Sequence, residues 1–158
     1  CFSIAMSAID ATAKTPLIFA LFSFCHASSP LAAKKAVQNT NIKIFGVTAL
    51  TSLSDEDTGI IYKRIASEQV KVMLDLAEEA HIDGVVCSPH ELDFVVERKS
   101  LLSITPGIRL SKTVDDQTRV MTPKEAILKG ANYIVIGRPI TNAPNIGEAL
   151  QEIHNLIE

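Results

Sequence analysis

The sequence predicts an α/β fold built on a parallel sheet. Short, β-branched apolar runs recur along the chain, and stretches of helical length with their own start and stop signals separate them. That alternation is the pattern of parallel strands joined by helical crossovers. A further observation is chemical. Tyr133 to Ile136 reads as a strand buried on both faces, and Gly137-Arg138-Pro139 follows it at once. A glycine lets backbone N–H groups approach an anion, and the guanidinium beside it offers the paired donors that match phosphate. A phosphate grip at the C-terminal end of a parallel strand is the arrangement of (β/α) barrels. The chain holds five strand-helix units, whereas a closed barrel needs eight and about 250 residues. The expectation is a TIM-barrel type fold, N-terminally truncated or incomplete, with about five of eight units.

The elements follow in order. Cys1 to Lys14 is rich in Ala, Ser and Thr with weak helical character, and Pro16 ends it. Leu17 to Cys25 is a strand candidate. Ser29 as N-cap and Pro30 in the first position predict a helix to Gln38. Asn39 to Asn41 turn the chain into a strand over Ile42 to Leu50. The acidic run Asp55, Glu56 and Asp57 reads as a solvated helix start, favourable to the helix dipole. Ser67 to Ala80 is a long helix with Val70, Leu74 and Ala77 on one face. Gly84 to Cys87 is a short buried strand broken by Ser88-Pro89. His90 marks the junction to a short helix that runs from His90 or Glu91 to Val96. Ser103 to Pro106 is a strand ended by Pro106-Gly107. Thr122-Pro123 opens a helix with a hydroxyl N-cap and a first-turn proline, and Lys129-Gly130 closes it. Ile146 to Ile157 is an amphipathic helix.

At 158 residues, 47% hydrophobic and 21% charged, the chain has the make-up of one ordinary globular domain with length enough to bury a core. A net charge of −3 gives no electrostatic case for nucleic acid. Cys1, Cys25 and Cys87 are spaced too widely and irregularly for a disulfide framework or a zinc site, so a reducing, cytoplasmic compartment is the simplest expectation. Cys87 reads as a small core residue rather than a nucleophile. The first residue is Cys rather than Met, as in a trimmed or partial product. The densest apolar run, Leu17 to Phe24, is far too short to span a bilayer, and no membrane association is expected. A signal peptide around it is the weaker of two readings, because His26-Ala27-Ser28 and the pattern downstream favour a buried strand.

Five blocks carry a more specific signal: VTALTSLSDED (Val47 to Asp57), GVVCSPHE (Gly84 to Glu91), ITPGIRL (Ile104 to Leu110), DDQTRVMTP (Asp115 to Pro123) and IGRPIT (Ile136 to Thr141). In order and spacing they resemble orotidine 5′-phosphate decarboxylases of the bacterial type, from about Cys25 to the C-terminus. The resemblance implies a single partial barrel domain over residues 1–158, with residues 1–24 diverging from the family. It also implies a carboxy-lyase of pyrimidine biosynthesis that converts orotidine 5′-phosphate to uridine 5′-phosphate and carbon dioxide. Such an enzyme takes a nucleotide substrate, uses neither metal nor organic cofactor, and works as a homodimer. Carried over residue by residue, the resemblance gives Gly137 and Arg138 the ligand phosphate. Gln117, in the Asp-Asp-Gln element, reaches over that phosphate. Arg109 becomes a ligand-end arginine; its other reading is a salt bridge to a loop carboxylate such as Asp115. Thr51 and Ser52 contact the nucleotide, where hydroxyls can donate to or accept from a pyrimidine edge; capping of a loop explains them nearly as well. His26 and Ser28 are similar to the family's His-Ala-Ser-Gly-Gly turn, but Ser29-Pro30 stands where two glycines are usual.

The family's chemistry itself has no counterpart here. In the family a lysine protonates the carbanion-like ring carbon, flanked by aspartates in an Asp-Lys-Asp array, one of them from the partner subunit. Such an array is complementary to charge that develops in the transition state. Binding energy from the remote phosphate assists the same step. The resemblance puts that block upstream of the strand ending at Cys25, where only Asp10 and Lys14 are charged and the surroundings do not match. No catalytic residue is assigned, and the isolated chain is expected to be inactive. The alternative is a non-catalytic remnant or phosphate/nucleotide-binding module of the same fold. Sugar-phosphate decarboxylases of the superfamily share fold and grip, but the Pro-Gly-Ile-Arg and Asp-Asp-Gln blocks favour the nucleotide enzyme.

Overall fold

The computed structural model describes residues 18–21, 28–49, 53–110 and 121–157. Among the described residues, five strands form one sheet: β1 (Ile18–Leu21), β2 (Lys43–Val47), β3 (Gly84–Val86), β4 (Leu102–Thr105) and β5 (Tyr133–Ile134). They lie in the order β1-β2-β3-β4-β5, and every neighbouring pair is parallel. Spatial order therefore follows chain order throughout. A doubly wound sheet reverses direction at a switch point, whereas a sheet that only steps forward is part of a barrel wall. Because all pairs are parallel, every strand ends at the same rim.

Helices fill the intervals: α1 (Ser28–Ala36), α2 (Asp55–Tyr62), α3 (Ala66–Glu79), α4 (Leu92–Val96), α5 (Pro123–Leu128), α6 (Arg138–Thr141) and α7 (Ile146–Ile157). Three helical starts share one device. The Ser54 hydroxyl accepts from the Asp57 N–H while the Asp57 carboxylate accepts from the Ser54 N–H, which opens α2. Ser88 and Glu91 do the same for a 3₁₀ turn over Pro89–Glu91 that leads into α4. Thr122 and Glu125 do it for α5, with Pro123 in its first position. Each box satisfies N–H groups that a helix start leaves without intrahelical partners. The Ser54 bonds hold the Asp57 carboxyl below its ordinary range.

The core sits between helices and sheet. α3 buries Val70, Met73, Leu74 and Ala77, the three-and-four spacing of one helix face. They join Ile44 of β2 and Val85 of β3, with Leu92, Val95, Leu101, Ile108 and Ala126 completing the cluster. The opposite sheet face carries the alternate residues. There the Phe45 ring passes over Gly84, its register partner on β3, and meets the Tyr133 ring edge-on at 6.2 Å between centroids. A Cβ at Gly84 would lie 2.6 Å from the Phe45 ring and would also strike the Leu102 carbonyl, so this is a close-approach glycine.

Several boundaries differ from the sequence expectation. β5 covers Tyr133–Ile134 rather than Tyr133 to Ile136, and Tyr133 is 39% exposed instead of buried on both faces. Among the described residues β5 has a neighbour on β4 only, which accounts for its short pairing and its exposure. Gly137-Arg138-Pro139 leads into the single turn of α6. The acidic run opens a separate helix, α2, before the long α3. The first helix begins at Ser28, ahead of the expected Ser29 cap, and ends at Ala36. The strand expected over Ile42 to Leu50 contracts to Lys43–Val47. β1 accounts for part of Leu17 to Cys25; residues 22–27, with Cys25 and His26, lie outside the described residues.

Candidate functional site

The rim where the strands end is the candidate site, and two neighbouring strand exits build it. β4 and β5 are in register through Ile104 with Tyr133 and Thr105 with Ile134, and the Val135 N–H continues the ladder to the Thr105 carbonyl at 2.9 Å. Arg109 follows β4 by four residues and Arg138 follows β5 by four, so both arginines leave the sheet at the same rim on adjacent strands. Both are half-buried.

The β4 exit is shaped by Pro106 and Gly107, the latter at φ 86, a left-handed conformation suited to glycine. Ile108 then forms a parallel bridge with Met121. The Arg109 N–H donates to the Met121 carbonyl at 3.0 Å, and the Met121 N–H to the Gly107 carbonyl at 3.4 Å. These bonds close the base of the segment 111–120, which carries Gln117. The Arg109 guanidinium donates to the Ile108 carbonyl at 3.0 Å. Gln117 and Asp115 lie outside the described residues, as do Thr51 and Ser52 after β2.

The β5 exit is the Gly137-Arg138 turn. Gly137 has φ −101 and ψ −93, and a Cβ there would meet nothing within 4 Å. Crowding within the protein does not account for glycine here; its lack of a side chain leaves room in front of the turn. Backbone donors are scarcer than the sequence suggests. Pro139 has no N–H, and the Ile140 and Thr141 N–H groups donate to the Gly137 carbonyl at 2.9 and 3.1 Å. An anion at this turn would meet the Arg138 guanidinium more readily than backbone donors.

Behind the rim lie further polar groups, of which the sequence pattern anticipates Cys87 and His90 and leaves Thr48, Ser103 and Asn132 unassigned. The Thr48 hydroxyl is buried and donates to the Val86 carbonyl at 2.9 Å, tying β2 to β3. Cys87 is 1% exposed and belongs to the core. Burial pushes its thiol up to about 12; the nearby Glu91 carboxylate adds to this, and the Thr105 hydroxyl partly offsets it. A thiol so held stays protonated at neutral pH. His90 sits in the 3₁₀ turn at the β3–α4 junction. Ser103 and Asn132 bond each other reciprocally at the start of β5. For Thr48, Ser103 and Asn132, a polar residue inside or beside an apolar run is the sequence signal. Among the described residues no cluster of three or more His, Cys, Asp or Glu side chains is placed to hold a metal ion, and no helix is long and apolar enough to cross a membrane.

Comparison with known proteins agrees with this architecture. The profile of the family described as "Orotidine 5'-phosphate decarboxylase / HUMPS family" matches residues 13–153. Orotidine 5′-phosphate decarboxylase of Dictyoglomus turgidum is 44% identical over 122 residues, which cover 73% of this chain and 49% of that protein. The Saccharophagus degradans protein of the same name is 45% identical over 132 residues, covering 78% and 54%. The chain thus spans about half the length of the curated relatives it matches. Among solved structures, orotidine 5′-phosphate decarboxylase from Lactobacillus acidophilus superposes with a TM-score of 0.73 at 28% identity, over 89% of this chain and 63% of that one. The Pyrococcus horikoshii enzyme, at 22% identity and a TM-score of 0.66, shares the fold. A five-stranded segment of (β/α) barrel wall with these relatives has one assignment: the chain belongs to the orotidine 5′-phosphate decarboxylase / HUMPS family.

Proposed function

We propose that this chain is the phosphate-binding part of an orotidine 5′-phosphate decarboxylase barrel, and that the 158-residue chain by itself binds the nucleotide without decarboxylating it. Arg138 takes the phosphate, and the room in front of Gly137 admits it. Gln117 closes over the phosphate from the segment rooted at Gly107 and Met121, Arg109 faces the same end of the ligand, and Thr51 and Ser52 contact the pyrimidine. The observation that carries this reading is the Gly137-Arg138 turn, directly past β5, with open space where the glycine lacks a side chain. The sequence supports the missing chemistry: no block upstream of Cys25 carries the family's Asp-Lys-Asp spacing. The same reading makes residues 1–158 one partial barrel domain, acting in the cytoplasm and as a homodimer, with no organic cofactor.

Calorimetric titration with uridine 5′-phosphate tests it. The chain should bind, and Arg138→Ala should weaken binding by about tenfold or more, as loss of a charge-assisted, bidentate contact does. Equal affinity in chain and variant would remove Arg138 from the site.

A further inference from the structure

The geometry points to Asn132 as a positioning residue for the phosphate turn, acting through Ser103; this rests on the reading that Arg138 binds phosphate. β5 pairs with β4 at only two positions, Ile104 with Tyr133 and Thr105 with Ile134. So short a strand specifies its register weakly, and a one-residue slip would carry each side chain to the opposite face. Asn132, just ahead of β5, supplies what the ladder lacks. Its Oδ1 accepts from the Ser103 N–H at 2.8 Å and from the Ser103 hydroxyl at 3.2 Å. Its own N–H donates to Ser103 Oγ at 2.9 Å.

The Asn132 side chain therefore stands in for a strand partner and adds a third rung, beside Ser103, which is 1% exposed. On the far side of β5, the Val135 N–H bond to Thr105 and the Gly137 carbonyl that closes α6 carry the register onward to Arg138. The turn that holds the guanidinium is thus located by a lock at one end of a very short strand. Without the lock, β5 keeps its hydrophobic contacts but not a single register, and the loss falls on whatever Arg138 aims at.

Phosphate selectivity is the readout, because general loosening of the fold would not move it. Affinities for uridine 5′-phosphate and for uridine are measured by calorimetry on the chain and on two variants. Asn132→Leu removes the acceptor; Asn132→Asp keeps an Oδ1 for both Ser103 donors. The expected result is a uridine 5′-phosphate preference in the chain that falls about tenfold in Asn132→Leu, with uridine affinity unchanged, and that Asn132→Asp restores. An unchanged preference in Asn132→Leu, or an equal loss for both ligands, overturns the assignment. If Asn132→Leu does not fold, Ser103→Ala, which removes the Oγ acceptor alone, is judged by the same ratio. A chain that shows no preference for the phosphorylated ligand overturns the phosphate reading itself, and this inference falls with it.

Discussion

Two glycines at the sheet show how one residue type answers to different causes. Gly84 lacks a side chain because the Phe45 ring occupies the place one would take on its way to Tyr133. Gly137 has open space where a side chain would be. The two should separate under the same substitution. Gly84→Ala forces ring and backbone apart and should lower stability by roughly 1–3 kcal/mol, as overpacking does. Gly137→Ala should leave stability within about 0.5 kcal/mol of the parent, as for an uncrowded surface site, and yet weaken uridine 5′-phosphate binding. Urea midpoints and calorimetry on the two variants check this; a destabilised Gly137→Ala that binds normally would assign that glycine to the fold. The two positions also differed in how legible they were. Gly137 could be read because Arg138 and Pro139 adjoin it, after a β-branched run. Gly84 could not, because its cause is the ring of its register partner Phe45 on the neighbouring strand β2, far off along the chain.

At the scale of elements, helix starts were readable and strand ends were not. Thr122-Pro123 announces α5, and the structure adds the Glu125 carboxylate that completes the box. α5 has only six residues, and its first turn is held by this box together with the buried Pro123 and Ala126. Thr122→Ala should cost about 1 kcal/mol, the usual worth of a hydroxyl cap, read as a shift in urea midpoint. A neutral result would mean that tertiary packing of Ala126, buried in the core, holds the helix alone. The α7 range matched its sequence pattern because amphipathic periodicity belongs to the helix itself, with Ala149 and Ile153 buried one turn apart. β5 did not match. The run from Tyr133 to Ile136 is uniformly apolar, but strand length is set by the neighbour that pairs, and β4 offers partners only to Ile134. Likewise the Ser103–Asn132 lock depends on which strands adjoin, a property of the sheet rather than of either segment.

At the scale of the whole molecule, parallel alternation in the sequence was enough for the fold class, and the five blocks were enough for the family. The structure adds the forward-only strand order that makes the sheet a barrel wall. The candidate site divides along a physical line. Arg109, Gly137 and Arg138 leave two short, adjacent strands and share one rim. Thr51, Ser52 and Gln117 lie outside the described residues, and their roles rest on resemblance. On the proposed function, this chain holds the remote phosphate and lacks the groups that protonate the ring carbon. Remote binding energy lowers a barrel's barrier only if a reacting centre is there to receive it. The most direct test is an absorbance assay of orotidine 5′-phosphate loss, run on protein shown to bind uridine 5′-phosphate. The expected result is no loss above the uncatalysed rate. Turnover by the 158-residue chain would contradict it and would make Lys14 the first residue to substitute.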